Sequence, residues 1–330
     1  MTALYDVAAI GNAIVDVIAP CEEAFLEAEA LVKGSMQLVD EAQAIALYGR
    51  MAPGMETSGG SAGNTVAGVA SFGGRAAYLG KVASDQLGDV FEHDMRAIGV
   101  AFDTTRLTGG PATARSMINV TPDGQRTMST FLGASVELAP DDVKPEIIEQ
   151  SLIVYLEGYL FDPSEARRAF AKAAGLAHAA GRQIAITLSD AFVVDRHRGA
   201  LLGFIEGQCD IVLANESEVK ALFETDDFEV AAAKLGAITN TCAITRGEAG
   251  SLVLSGRESA LIHAVPVEKV VDTTGAGDQY AAGFLLGIAR GLPLATAGRL
   301  GALAAAEVIG HYGPRPQVSL EALAKAEGLI

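Results

Sequence analysis

Short apolar runs alternate with longer amphipathic ones along most of this chain. Residues 7–18, 76–82, 152–156, 183–188, 210–213 and 242–244 are rich in Val, Ile, Leu and Ala, with little period-two alternation. Strands buried on both faces have this pattern. Between them, residues 85–98, 163–180, 197–205, 216–224 and 228–235 read as helices. In the second of these, Ala166, Phe170, Ala173 and Ala177 recur at three- and four-residue steps and so share a face. The alternation predicts an α/β fold whose central, mostly parallel sheet is flanked by helices. The last third differs: residues 275–290, 293–310 and 319–327 read as three helices in succession.

One segment breaks the rhythm. Residues 114–120 and 126–132 read as two strands around Thr121-Pro-Asp-Gly124, which is strong turn chemistry. A hairpin set into this alternation predicts a small β-sheet lid, completed by residues 31–39 and part of the first strand. There is no internal repeat, low-complexity tract or linker. A single domain over residues 1–330 is therefore expected, its lid drawn from parts of about 12–55 and 107–132.

Charge narrows the partners. With 24 Lys and Arg against 41 Asp and Glu, the formal net charge is −17. Nucleic acid and anionic membrane surfaces need a positive field, so neither is an expected partner. Cys21, Cys209 and Cys242 are far apart and form no C-x-x-C pair. They read as reduced thiols of a cytoplasmic protein. The first residues lack a basic region, and Asp6, Asn12 and Asp16 interrupt the apolar stretch, so neither a signal peptide nor a membrane span is expected. The five histidines show no metal-ligand spacing, and the sequence carries no signal of oligomeric state.

The sharpest local feature is Asp272-Thr-Thr-Gly-Ala-Gly-Asp278, with a helical pattern directly after it. The opening turn of a helix has N–H groups without intrahelical acceptors and the positive end of the dipole, so an anion can bind there. Gly275, Ala276 and Gly277 would bring that backbone close to a ligand, and Asp278 would face a hydroxyl beside the bound anion. Such a set suits phosphoryl transfer, with a base for the alcohol and donors for the phosphoryl oxygens. The plainer reading makes Asp278 or Thr274 a helix cap.

A second glycine cluster, residues 58–64, admits a ligand-contacting helix entry through Gly60 and Asn64. It also matches the G-x-S-x-G nucleophile elbow, with Ser61 as nucleophile, although the turn-rich residues 51–57 offer no preceding strand. Residues 74–82 resemble a P-loop only loosely, because Val82 stands where Ser or Thr would hold magnesium. Asp16, on the first buried strand, either binds ligand hydroxyls or ends the strand. Asn215 and Glu218 have the spacing of a helix capping box. Residues 245–250 have the look of a hairpin turn.

Taken together, these motifs resemble the ribokinase-like sugar and nucleoside kinases, adenosine kinases most of all. The match runs from about residue 5 to 318 and is most specific at residues 59–74 and 272–286. The resemblance implies a β lid over the acceptor, ATP as phosphoryl donor, Mg²⁺, and a nucleoside or sugar as the other small-molecule substrate. It leaves open a K⁺ ion beside the Asp272 loop. By position, Asp278 would be the general base and Gly275, Ala276 and Gly277 the anion hole. Asn215 and Glu218 would organise Mg²⁺ through its waters. Thr245, Arg246, Gly247 and Gly250 would contact ATP, while Asn12, Asp16, Gly60 and Asn64 would bind acceptor hydroxyls. Arg126 fits the family's G-x-R pattern without an assigned duty. The stretch from Thr187 to Phe192 is similar to that of adenosine kinases, which implies adenosine as acceptor with Phe131, Phe161 and Phe192 flanking the purine. A free sugar or another nucleoside is the alternative.

Overall fold

The computed structural model describes residues 3–330 and contains two sheets. The chain enters the large sheet with β1 (Tyr5–Ile10). It then leaves for a small sheet through β2 (Ile14–Pro20), β3 (Met36–Leu38) and β4 (Met55–Ser58). Strands β5 (Ala76–Leu79) and β6 (Ala101–Phe102) return to the large sheet. The hairpin of β7 (Ala114–Val120) and β8 (Arg126–Phe131) goes back to the small one. The large sheet is completed by β9 (Ser151–Glu157), β10 (Gln183–Thr187), β11 (Ile211–Asn215), β12 (Thr241–Thr245), β13 (Ser251–Ser255) and β14 (Glu258–Ile262). Its spatial order is β14-β13-β12-β11-β10-β9-β1-β5-β6. Only the β12–β13 and β13–β14 pairings are antiparallel.

Two cores sandwich this sheet, and successive strand residues serve opposite cores. Val7 and Ala9 of β1 pack on one side with α3 (Ser61–Ser71), α4 (Gln86–Ala97), α10 (Ala276–Ala289), α11 (Leu294–Ile309) and α12 (Leu320–Ala326). Ala8 and Ile10 pack on the other with α5 (Pro145–Glu149), α6 (Ser164–Ala179), α7 (Ala191–Gln208), α8 (Glu216–Phe223) and α9 (Phe228–Ile238). Burial on both faces explains why these strands read as unbroken apolar runs. The small sheet, ordered β3-β8-β7-β2-β4, has a one-sided core. Met117 and Phe131 pack there against Ala44 and Leu47 of α2 (Glu41–Tyr48), with Phe25 of α1 (Glu23–Ala28) beside them.

The expectation of one strand over residues 7–18 is corrected: the run is split between the two sheets. A Cβ on Gly11 would stand 2.5 Å from both Ala62 Cβ and a Glu157 carboxylate oxygen. The chain therefore passes closely over the head of α3, and pairing with β5 and β9 stops at Ile10. Helix α7 begins at Ala191, before the expected 197, because Asp190 caps it by accepting the Phe192 N–H at 2.7 Å. A strand does precede the glycine cluster, β4, contrary to expectation; its alternation is too short to register. Residues 245–250 are a hairpin connection between β12 and β13, as their turn chemistry indicates.

Helices α10 and α11 approach so closely that a Cβ on Gly283 would lie 2.5 Å from the Leu300 carbonyl. Backbone cannot yield as a side-chain tip can, so Gly283→Ala should force the helices apart. We expect a loss of about 1–3 kcal/mol, seen in urea denaturation as a lower midpoint with an unchanged m-value.

Candidate active site

The crevice lies at the carboxyl ends of the parallel strands. There β1 has β5 and β6 on one side and β9 onwards on the other, which makes the β1/β9 border a topological switch point where ligands bind in such sheets. Asn12 and Glu157 meet across this border, Asn12 Nδ2 donating to Glu157 Oε1 at 2.7 Å. The Ala62 N–H at the head of α3 donates to the other carboxylate oxygen at 2.9 Å. A cavity of about 930 Å³ opens above, walled on its far side by the small sheet through Asp16, Met36, Leu38, Ile118 and Met128.

Asp278 sits in the first turn of α10, where the N-cap Gly275 has φ +79°, a left-handed conformation suited to glycine. Ser61 Oγ donates to Asp278 Oδ1 at 2.6 Å, and Asn64 Nδ2 to Oδ2 at 3.0 Å. Ser61 is thus committed to a carboxylate, and no histidine lines the cavity, which leaves the nucleophile-elbow reading without a base. Gly275, Gly277 and Asp278 line the cavity, whereas the Ala276 N–H turns back to the Thr273 carbonyl at 3.2 Å. The motif's opening residue is tied down on both oxygens. Asp272 Oδ1 accepts the Thr274 N–H and hydroxyl, and Oδ2 accepts the Gly313 N–H at 3.1 Å and pairs with Arg126 at 3.0 Å. Arg126 thus links the small sheet to the glycine loop, the duty its position in the sequence left unassigned. The protein's own guanidinium neutralises Asp272 there, and nothing in this geometry supports K⁺ beside it.

Asn12, Asp16, Gly60 and Asn64 all line the cavity together with Asp278. Asn12 Oδ1 is buried without a partner among the described residues. At the other end, Asn215 and Glu218 form a complete capping box and also line the cavity. Thr245 joins them, whereas Arg246, Gly247 and Gly250, expected beside it, do not line the cavity. The Arg246 guanidinium lies 3.7 Å over the Phe228 ring and pairs with Glu216 at 2.9 Å. The base-flanking expectation for Phe131 and Phe161 is corrected, since neither ring lines the cavity. Phe161 is buried against Phe170 and Phe204, and Phe131 packs in the small sheet's outer core under Arg115. Phe192 does line it, 77% exposed at the mouth, and Tyr159 stands on the same wall.

Several participants lay outside the motifs. Glu157 ends an apolar strand with a charge, a signal of the same kind as Asp16. Arg315 is half-buried beside Asn64, donating through Nε at 3.4 Å, and had no motif to mark it. Lys81 of the loose P-loop match pairs with buried Asp142 at 2.5 Å, away from the cavity.

Six acidic residues line the cavity against one base, Arg196, which is itself paired with Asp162 at 2.7 Å. Burial pushes the Asp16, Glu157 and Glu218 carboxyls up to about 7 each, and Asp278 to about 6, the Ser61 and Asn64 bonds holding it lower than burial alone would. Among the described residues no group of three or more His, Cys, Asp or Glu is placed to hold a metal ion. No described helix is long and apolar enough to cross a membrane.

An α/β crevice with a carboxylate at a glycine-rich helix start and a second sheet over it defines the class, a small-molecule phosphotransferase. Residues 49–321 match the pfkB family of carbohydrate kinases, and the chain belongs to that family. The adenosine kinase of Sinorhizobium meliloti has the same fold at TM-score 0.91 and 54% identity, over 98% of this chain and all of that one. A probable sugar kinase from Rhizobium etli gives 0.92 and 49%, with full coverage of both chains. The adenosine kinase of Saccharomyces cerevisiae is 26% identical over 92% of this chain and 95% of its own. The protein is an ATP-dependent kinase of ribokinase-like, adenosine kinase-like type.

The raised carboxyls make a stability prediction. Asp16, Glu157 and Asp278 hold protons in the folded chain at pH values where the unfolded chain has lost them. Stability must then fall as pH rises from about 4 towards 8, by roughly 1.4 kcal/mol per pH unit for each proton that only the native state retains. Melting temperatures of the ligand-free protein across this range should decline, whereas a flat or rising curve would contradict the burial of these groups.

Proposed function

We propose that this kinase transfers the γ-phosphoryl group of ATP to a primary hydroxyl of a nucleoside, adenosine above others. The observation that carries this is the position of Asp278 between glycine amides on one side and Asn12, Asp16 and Asn64 on the other. Ionised Asp278 takes the hydroxyl proton as the acceptor oxygen bonds to phosphorus and the bond to ADP breaks, leaving a phosphomonoester, ADP and protonated Asp278. The amides of Gly275 and Gly277 face the phosphoryl oxygens, where charge must be stabilised. Asn12, Asp16 and Asn64 hold the ribose hydroxyls, and Gly60 lets them approach.

The apolar wall favours a nucleoside over a free sugar. A hexose bound among Asn12, Asp16 and Asn64 would leave Met36, Leu38, Ile118 and Met128 uncovered. A purine would bury them and could stack on Phe192 or Tyr159. The small sheet then serves as a lid that keeps water from competing as acceptor.

An acidic cavity with one committed base suits ATP only as its magnesium complex. Buried Glu218 and its partner Asn215 are the residues that would hold Mg²⁺, chiefly through water, as this ion usually keeps several waters. Bound there, Mg²⁺ supplies the positive charge that offsets the phosphates. Thr245 lies on the ATP side.

Asp278→Asn should lower kcat by roughly 10²–10⁴-fold with the KM for ATP little changed, and near-normal turnover would remove Asp278 from its role. In the wild type, ADP release with adenosine, inosine, ribose and fructose should be fastest with adenosine. Preference for ribose or fructose would assign the enzyme to free sugars instead.

A further inference from the structure

Gln279 follows Asp278 directly, yet it faces the seam behind the cavity. Its side chain is fully buried, and Nε2 donates to two main-chain carbonyls, Asn64 at 3.0 Å and Pro314 at 2.9 Å. Helix α3 makes room for it with Gly68, where a Cβ would stand 2.2 Å from Gln279 Oε1. Pro314 in turn backs the glycine loop, since a Cβ on Gly275 would lie 2.6 Å from Pro314 Cα. One carboxamide therefore joins three segments that each contribute to the reacting centre. Helix α10 carries Asp278, α3 carries its donors Ser61 and Asn64, and the 313–314 segment braces Gly275 and donates to Asp272.

The two Nε2 hydrogen bonds tie the seam together, but the glutamine also carries a cost there. Its Oε1 is buried without a partner among the described residues, which costs free energy that an apolar side chain of equal volume would avoid. We propose that Gln279 is a positioning residue: its carboxamide sets the register of α3 against α10, and with it the two hydrogen bonds that hold the Asp278 carboxylate. The proposal rests on the reading of Asp278 as the general base.

Gln279→Met keeps the volume and removes both donors. We expect a melting temperature within a few degrees of wild type, a KM for ATP within about twofold, and kcat lower by roughly tenfold or more, as small misplacements at a reacting centre have such effects. The acid limb of the kcat profile should also move to higher pH, because Asp278 loses part of its donation from Ser61 and Asn64. Asp16 of β2 and Tyr155, Glu157 and Tyr159 around β9 face Asp278 electrostatically, with Arg315 beyond Asn64. These groups are common to all variants, so the difference between profiles reports the hydrogen bonds. Ser61→Ala, at the cavity wall, should move the limb in the same direction. Gln279→Glu, protonated between two carbonyl oxygens and keeping one donor, should recover part of kcat. Wild-type kcat and limb in Gln279→Met overturn the proposal, and so does an unmoved limb in Ser61→Ala if the methionine variant does not fold. A wild-type enzyme that phosphorylates no alcohol would instead overturn the reading of Asp278.

Discussion

The heads of two helices, α3 and α10, meet above the carboxyl ends of the central strands, and the Asp278 carboxylate is held between them. Its two oxygens accept from Ser61 and Asn64, residues more than two hundred positions away in the chain. Everything else at the site is arranged around this junction. The β1/β9 border beneath it supplies Asn12 and Glu157, and the Asp272 loop fixes the turn from which α10 starts. Both helices present the positive ends of their dipoles at this junction, where an anion is favoured.

The same junction sets opposing demands on charge. Burial raises the carboxyls of Asp16, Glu157 and Asp278, so the empty crevice favours protons. The general-base role proposed for Asp278 requires its carboxylate to be ionised near neutral pH. Hydrogen bonds from Ser61 and Asn64 offset part of the burial cost at Asp278, whereas Asp16 and Glu157 remain higher.

The small sheet is more than a cover. Its inner face presents Met36, Leu38, Ile118 and Met128 to the cavity, while α1 and α2 bury its outer face. Arg126 on β8 reaches across to Asp272, with both side chains under 10% exposed. Breaking such a pair would strand a buried charge, so the position of the sheet and the conformation of the glycine loop are energetically coupled.

The α/β alternation, the hairpin and the glycine loop before α10 were legible in the sequence because each rests on local physics: apolar periodicity, turn chemistry and unpaired helix amides. Asp16, Asn64, Asn215 and Glu218 stood out for a related reason, as polar residues on an apolar strand or at the start of a helix, and Asn12 through the family resemblance. What the order of residues left open depends on contacts between distant segments. Gly11 ends β1 only because α3 and Glu157 lie against it, and Tyr159 rather than Phe161 reaches the cavity because a single tight turn after β9 decides which ring faces inward. Gln279 and Arg315 carry no motif, and the pattern at Arg126 assigned it no duty, since the partners of all three lie in distant segments. Local sequence encodes local geometry, but which side chain meets which across a cleft is settled only when the two cores pack.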